Sequence, residues 1–236
     1  MKDNRLIVGI LVAGLFFSPV TTFSGTSTDI GSLHAEEQLS GHSDPAKLKA
    51  KLLEIDKRIN ETPSAKLYAA KANVLVFLHE PAKALTAMDK SIQLAPNTGK
   101  YYAYRGLIYS ALGDVNKTIK DIEKAKSMGC SDSDYLGLLA LAQTENQDFE
   151  KALKNAESAL NADPNDYSAL HARGRVRINQ KDYKKALDDF TLAIKQNGNM
   201  PELFKDRASV WEKLGNKKNA LADRNSAQKL RASANK

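Results

Sequence analysis

The sequence has one cysteine and four histidines among 236 residues, which excludes an internal disulfide and leaves little material for a metal centre. Cys130 is a lone thiol, able to pair only with another chain. Also missing are His-Glu-x-x-His, Cys-x-x-Cys, a glycine-rich phosphate loop and Gly-x-Ser-x-Gly. Without them the usual ligand and nucleophile arrangements of metalloproteases, redox dithiols, nucleotide sites and serine hydrolases have no carrier. No catalysis, metal or cofactor is expected, and acid pairs such as Asp188-Asp189 read as helix surface. No apolar run reaches the ~20 residues of a comfortable membrane helix; Leu6 to Phe17 is twelve residues long. Charge of one sign is missing too. The net charge is +7, but lysines and arginines are interleaved with acids, the pattern of a solvated face, and a nucleic-acid partner is not expected.

What the chain does have is a period. Ala72, Gly106, Ala140, Gly174 and Ala208 recur every 34 residues, and so do Ala84, Thr118, Ala152, Ala186 and Ala220. Ser91, Ala125, Ala159, Ala193 and Ala227 form a third small column, and Leu85, Ile119, Leu153, Leu187 and Leu221 an apolar one. Small columns allow helices to approach closely, and the apolar column fills the space between them. Within one period, Leu170, Gly174 and Val176 are spaced along one helix face, and Tyr183, Ala186, Leu187, Phe190, Ala193 and Ile194 along another, so two amphipathic helices are predicted. Asp182 between them is placed to cap the second helix, as are Glu80, Asp114, Asp148 and Asn216. Pro96, Pro164 and Gly198 end the second helices; Cys130 and Ala232 take the equivalent places elsewhere.

Period, small columns and turn prolines together resemble the tetratricopeptide repeat, over about Ala65 to Ala232. The resemblance implies an all-α, right-handed α-solenoid of five helix-turn-helix repeats, at 65–98, 99–132, 133–166, 167–200 and 201–232. Ser43-Asp44-Pro45 followed by Leu48, Leu52, Ile55 and Ile59 predicts an extra amphipathic helix over 44–62 that shields the first repeat; a half-repeat with Ala50 in the small column is the alternative. In the last helix Arg224 and Gln228 replace apolar residues, so it is expected to face water and close the array.

Ahead of these elements, Lys2, Arg5 and the short apolar run read as a secretory leader over 1–24, with small residues at Thr22 and Ser24, or else as an uncleaved membrane anchor. Residues 25–43, rich in Gly, Ser, Thr and His, read as a linker. The protein is thus expected to be exported, periplasmic or secreted if cleaved and membrane-anchored if not, touching a membrane only through this segment.

In the family that the repeats resemble, the first helices line a concave face that binds peptides. Carried over, that phase places Lys66, Asn73, Ala103, Leu107, Gly137, Leu141, His171, Arg175 and Lys205 along a groove. Leu107 and Leu141 are expected as its apolar floor, with room above Ala103 and Gly137, and His171, Arg175 and Lys205 as a wall favouring an acidic segment. Only Asn73 matches the family's carboxylate clamp; Ala69 stands where a lysine belongs. The expected function is a non-enzymatic module for a protein or peptide partner whose identity the sequence does not name. Alternatives are an anionic-polymer binder using Arg175, Arg177 and Lys205, and a self-assembling structural component. Arg105, Arg173 and Arg207 each precede an aspartate, Asp121, Asp189 and Asp223, by sixteen residues, predicting a bridge between the two helices of each unit. Export is checked by an activity reporter fused after Lys236, expected to work only outside the cytoplasm, with mass spectrometry of the mature N-terminus separating cleavage from anchoring.

Overall fold

The structure, a computed structural model, describes residues 44–234; the leader and linker expected over 1–43 lie outside them. The described residues form helices α1 (Pro45–Glu61), α2 (Ala65–Phe77), α3 (Pro81–Leu94), α4 (Gly99–Ala111), α5 (Val115–Ser127), α6 (Ser133–Glu145), α7 (Phe149–Ala162), α8 (Tyr167–Asn179), α9 (Tyr183–Gln196), α10 (Pro201–Lys213) and α11 (Lys217–Ala234), with no strand. Each even-numbered helix from α2 packs on its successor as a hairpin, and each hairpin packs on the next, so the described chain is an α-solenoid with its core between neighbours. None of these helices is long and apolar enough to cross a membrane.

The small columns sit at the tightest points. Ala72, Ala84, Ala125, Ala140, Ala152, Ala159, Ala186 and Ala193 are completely buried. A Cβ at Gly106 would lie 2.7 Å from Ile122, and one at Gly174 2.7 Å from the Phe190 ring, so at these two positions the helices approach only because the side chain is missing. Thr118 fits an alanine column because its hydroxyl donates back to the Asp114 carbonyl at 2.9 Å, and Ser91 fits because its hydroxyl donates to the Ala65 carbonyl at 2.8 Å.

The second helices start on side-chain caps. Asp114, Asp148, Asp182 and Asn216 each accept from the backbone amide three residues on, at 3.2, 3.4, 3.4 and 3.1 Å. Glu80 does not; its extra methylene carries the carboxylate past that amide to Lys83. Between the helices of each hairpin one residue takes the left-handed conformation: Gly113 and Gly215, but also His79, Gln147 and Lys181, with φ of 57–62°. At the N-terminal end α1 sets Leu48 and Ile55 against Val74, and Lys71 reaches Asp56 at 2.6 Å. Ala50 is exposed, which argues against the half-repeat. At the other end Arg224 and Gln228 are exposed, as expected.

The arginine pairs form as predicted. Arg105 binds Asp121 through Nε at 2.6 Å and Nη2 at 2.8 Å, Arg173 binds Asp189 at 2.7 Å, and Arg207 binds Asp223 through two nitrogens at 2.8 Å. Arg105 also reaches Asp89 at 2.7 Å and Arg207 reaches Thr191 at 3.2 Å, each in the preceding repeat. Arg177 adds a second cation to Asp189 at 2.6 Å. Asp189 is only 3% exposed, so Asp189→Ala strands two guanidinium groups and is expected to destabilise by about 2–3 kcal/mol. Lys185→Ala, which removes an exposed partner of Asp182, is expected to leave stability unchanged. Urea denaturation of both variants checks the contrast.

Candidate functional site

The first helices α2, α4, α6, α8 and α10 carry the residues expected along the groove, and the structure divides them into two stretches. Between the third and fourth repeats, α6 and α8 pack along each other; no other pair of first helices among the described residues does so to a similar extent. Helix α6 is buried on every side from Leu136 to Thr144. That follows from its composition, Leu-Gly-Leu-Leu-Ala-Leu-Ala, which is apolar all round and needs partners all round.

This seam takes away the expected apolar floor. Leu141 is 7% exposed and packs with Tyr167 and Leu170. Leu107 is 5% exposed and packs with Leu138 and Leu139. Both leucines belong to the core between repeats. The room expected above Ala103 and Gly137 is likewise filled: Ala103 is fully buried, and the space of a Cβ at Gly137 is taken by the Asp166 carboxylate, whose oxygens lie 2.6 and 2.7 Å from that point.

The expected cationic wall is largely neutralised. His171 is 4% exposed, stands edge-on to Phe190 at 5.9 Å and shares Nε2 with Asp206 Oδ2 at 2.8 Å. Arg175 approaches Glu145 at 3.6 Å and Asp206 at 3.9 Å; Lys205 remains exposed. Burial opposes ionisation of Asp206, but the His171 hydrogen bond and the charges of His171, Arg175 and Lys205 hold its carboxyl below the ordinary value. Arg177 is held by Asp189. An anionic polymer would therefore have to displace carboxylates from two of the three cations expected to bind it.

Asp206, Glu145 and Asp166 were not singled out from sequence. Asp206 follows Lys205 directly, and its partner lies 35 residues away. Only the pairing of first helices in neighbouring repeats brings it to His171. Asp166 is legible as the N-cap of α8, which it is: Ser168 and Ala169 amides donate to its Oδ1 at 2.9 and 3.0 Å.

The residue types Ser168, His171 and Asp206 meet here without forming a nucleophilic triad. Ser168 Oγ and His171 Nδ1 are both buried and neither has a hydrogen-bond partner, so no base serves the hydroxyl. Cys130 is buried, which with the nearby Asp132 pushes its thiol up to about 11 and keeps it protonated at neutral pH. Among the described residues no cluster of three or more His, Cys, Asp or Glu could hold a metal ion.

The N-terminal stretch is different. Helices α2 and α4 are not packed along each other, and between their N-terminal ends lies a cleft of about 650 Å³, lined by Ser64, Lys66, Thr98, Lys100, Tyr101 and Cys130 among others. Further along α2, half-buried Asn73 holds its side-chain Oδ1 out of water without a donor. A smaller hollow of about 380 Å³ at Phe149, Leu153 and Gln180 involves α7 and the turn after α8.

No protein-family model matches the chain, and comparison with curated proteins finds no significant match. Solved structures do match. YrrB, described as a tetratricopeptide-repeat protein with an unusual peptide-binding site, aligns with a TM-score of 0.56 at 22% identity over 75% of this chain and 91% of its own. MamA from Desulfovibrio magneticus gives 0.56 at 16% over 72% and 96%. A tetratricopeptide-repeat protein from Parabacteroides merdae gives 0.63 at 14% over 82% and 77%. These likenesses show the fold. With Leu107 and Leu141 in the core, Leu107→Ser and Leu141→Ser are each expected to destabilise by about 3 kcal/mol, measured by thermal or urea unfolding, in place of a loss confined to binding.

Proposed function

We propose that this chain, whose fold is that of the tetratricopeptide-repeat proteins, is an exported protein-interaction module that holds an extended segment of a partner protein against α2 and α4, with no chemistry of its own. The observation that carries this reading is the open cleft between the N-terminal ends of α2 and α4, bordered by the turn at Met128 to Asp132, in an array whose first helices are closed together at α6 and α8; Asn73 lies two turns further along α2. Its volume of about 650 Å³ suits a few residues of a peptide. The Asn73 carbonyl oxygen, buried without a donor, carries a desolvation penalty that rotation of this half-buried side chain towards a bound main-chain N–H would remove. Asn73 therefore supplies direction, and the cleft supplies area.

The expected contribution of one such hydrogen bond is about 1–1.5 kcal/mol, roughly a tenfold change in affinity. Asn73→Leu keeps the size of the side chain and removes the acceptor; Thr98→Arg fills the mouth of the cleft. Partner capture from an envelope extract, followed by titration of the captured segment, is expected to weaken about tenfold with Asn73→Leu and to be lost with Thr98→Arg. Arg175→Glu, in the closed stretch, is expected to leave capture near the wild-type level. Equal capture by all three folded variants would place the partner elsewhere.

A further inference from the structure

Four buried polar side-chain atoms that are unpaired or poorly paired fall within residues 166–171: Asp166 Oδ2 and His171 Nδ1, which have no hydrogen-bond partner, and Tyr167 OH and Ser168 Oγ, whose partners are at most each other and Asn197. Elsewhere among the described residues such atoms are scattered, Asn73 Oδ1 and Glu80 Oε2, and the latter is ion-paired with Lys83. Leaving a buried polar atom unpaired is unfavourable by about 1–3 kcal/mol, so a group of four at one helix start marks a place where closure is opposed. That place is the first turn and a half of α8, at the seam with α6.

Asp166 meets that opposition most directly, because it is the one carboxylate of the group. It is 6% exposed, and its carboxylate fills the niche that the absent side chain of Gly137 leaves on α6. Oδ1 caps α8 through two amides; Oδ2 has no donor. Facing it are further acids, Asp134 from the first turn of α6 and Asp163 from the end of α7. The cationic groups of α8 itself offer no relief, being committed to acids of its neighbours: Arg173 and Arg177 to Asp189 of α9, His171 to Asp206 of α10, and Arg175 to Asp206 and Glu145. Among the described residues no ion pair reaches Asp166.

We propose that Asp166 is a proton-dependent latch on the α6–α8 seam: protonated, it seats in the Gly137 niche and keeps the two first helices together; ionised, it leaves for water and the seam opens. Opening returns the unpaired His171 Nδ1 to solvent together with Asp166 Oδ2, which removes their desolvation penalties and makes the released state accessible. Burial, reinforced by the charges of Asp134 and Asp163 and only partly offset by the two capping amides, pushes the carboxyl up to about 7, within the range over which surroundings change. The sign follows from proton binding. A closed state that binds its proton more tightly than the open state is favoured at low pH and loses that advantage as pH rises towards the closed-state value.

The test is amide hydrogen exchange of the purified full chain at pH 6 and pH 8, normalised for intrinsic rates, so it uses no partner and stands apart from the binding reading above. For a carboxyl near 7 in the closed state and near 3.9 in the open one, the opening constant read from α6 amides is expected to rise about tenfold between these pH values. Amides of α2 to α5 are expected to stay level. Asp166→Asn keeps the capping oxygen and the shape but not the charge, and is expected to abolish the rise. Gly137→Ala fills the niche and is expected to give open-seam exchange already at pH 6. A rise in α6 no greater than in Asp166→Asn, or wild-type protection in a folded Gly137→Ala, would overturn the proposal; if Gly137→Ala does not fold, the Asp166→Asn comparison decides alone.

Discussion

Every packing surface in this chain depends on one constraint: two helices can come close only where a side chain is missing or nearly so. The three small columns meet that constraint once per repeat, and the large residues follow from it. Ile122 extends over Gly106 and Phe190 over Gly174 because each finds no Cβ in its way; Phe190 is fully buried as a result. Repetition at a fixed interval then turns a local packing rule into a solenoid, since each hairpin meets the next with the same surfaces. A substitution at one column position acts on two interfaces, within the repeat and towards its neighbour.

Charge is arranged around that packing. The arginine before each first-helix small residue points along the hairpin to an aspartate on the second helix, and in the second and fifth repeats it also touches the preceding repeat, at Asp89 and Thr191. Arg105 adds ring contacts, its guanidinium lying 5.7 Å from the Tyr102 centroid and 5.8 Å from that of Tyr109. Where the third repeat lacks the pair, two amides take its place, Asn155 donating to Gln143 at 2.8 Å, and Lys126 of the preceding repeat donates to Asn155 at 2.7 Å. The first repeat uses Lys71 on Asp56 of α1 instead. The interaction is thus less a fixed ion pair than a polar strut at a fixed height, whose chemistry changes with local burial.

The period, the helix pairs and the arginine bridges were all legible in the sequence because each is a relation at constant spacing. The caps were legible at Asp114, Asp148, Asp182 and Asn216 and not at Glu80, where one methylene changes the reach. The left-handed turns at His79, Gln147 and Lys181 carry no glycine and so gave no signal, although Gly113 and Gly215 mark the same place. The groove was the least legible part. Helical phase correctly aligned Leu107, Leu141 and Arg175 in one column, but phase does not determine how far neighbouring first helices stand apart. That distance is set by what lies opposite, and Asp166 over Gly137 is a contact across 29 positions that helical phase alone does not reveal.

A single repeated motif therefore carries two unlike surfaces. In an array of identical units, the spacing of first helices would be the same throughout and the concave face uniform. Here α6 combines a glycine at one groove position with an unbroken run of leucine and alanine from Leu138 to Ala142, so over that stretch it has no side to offer solvent and packs along α8. The closure takes Leu141, Ser168 and His171 out of reach, whereas α2 and α4 are not drawn together in this way. The asymmetry of spacing along the solenoid thus originates in the composition of one thirteen-residue helix, with the Asp166 carboxylate filling the one niche that this helix leaves at Gly137.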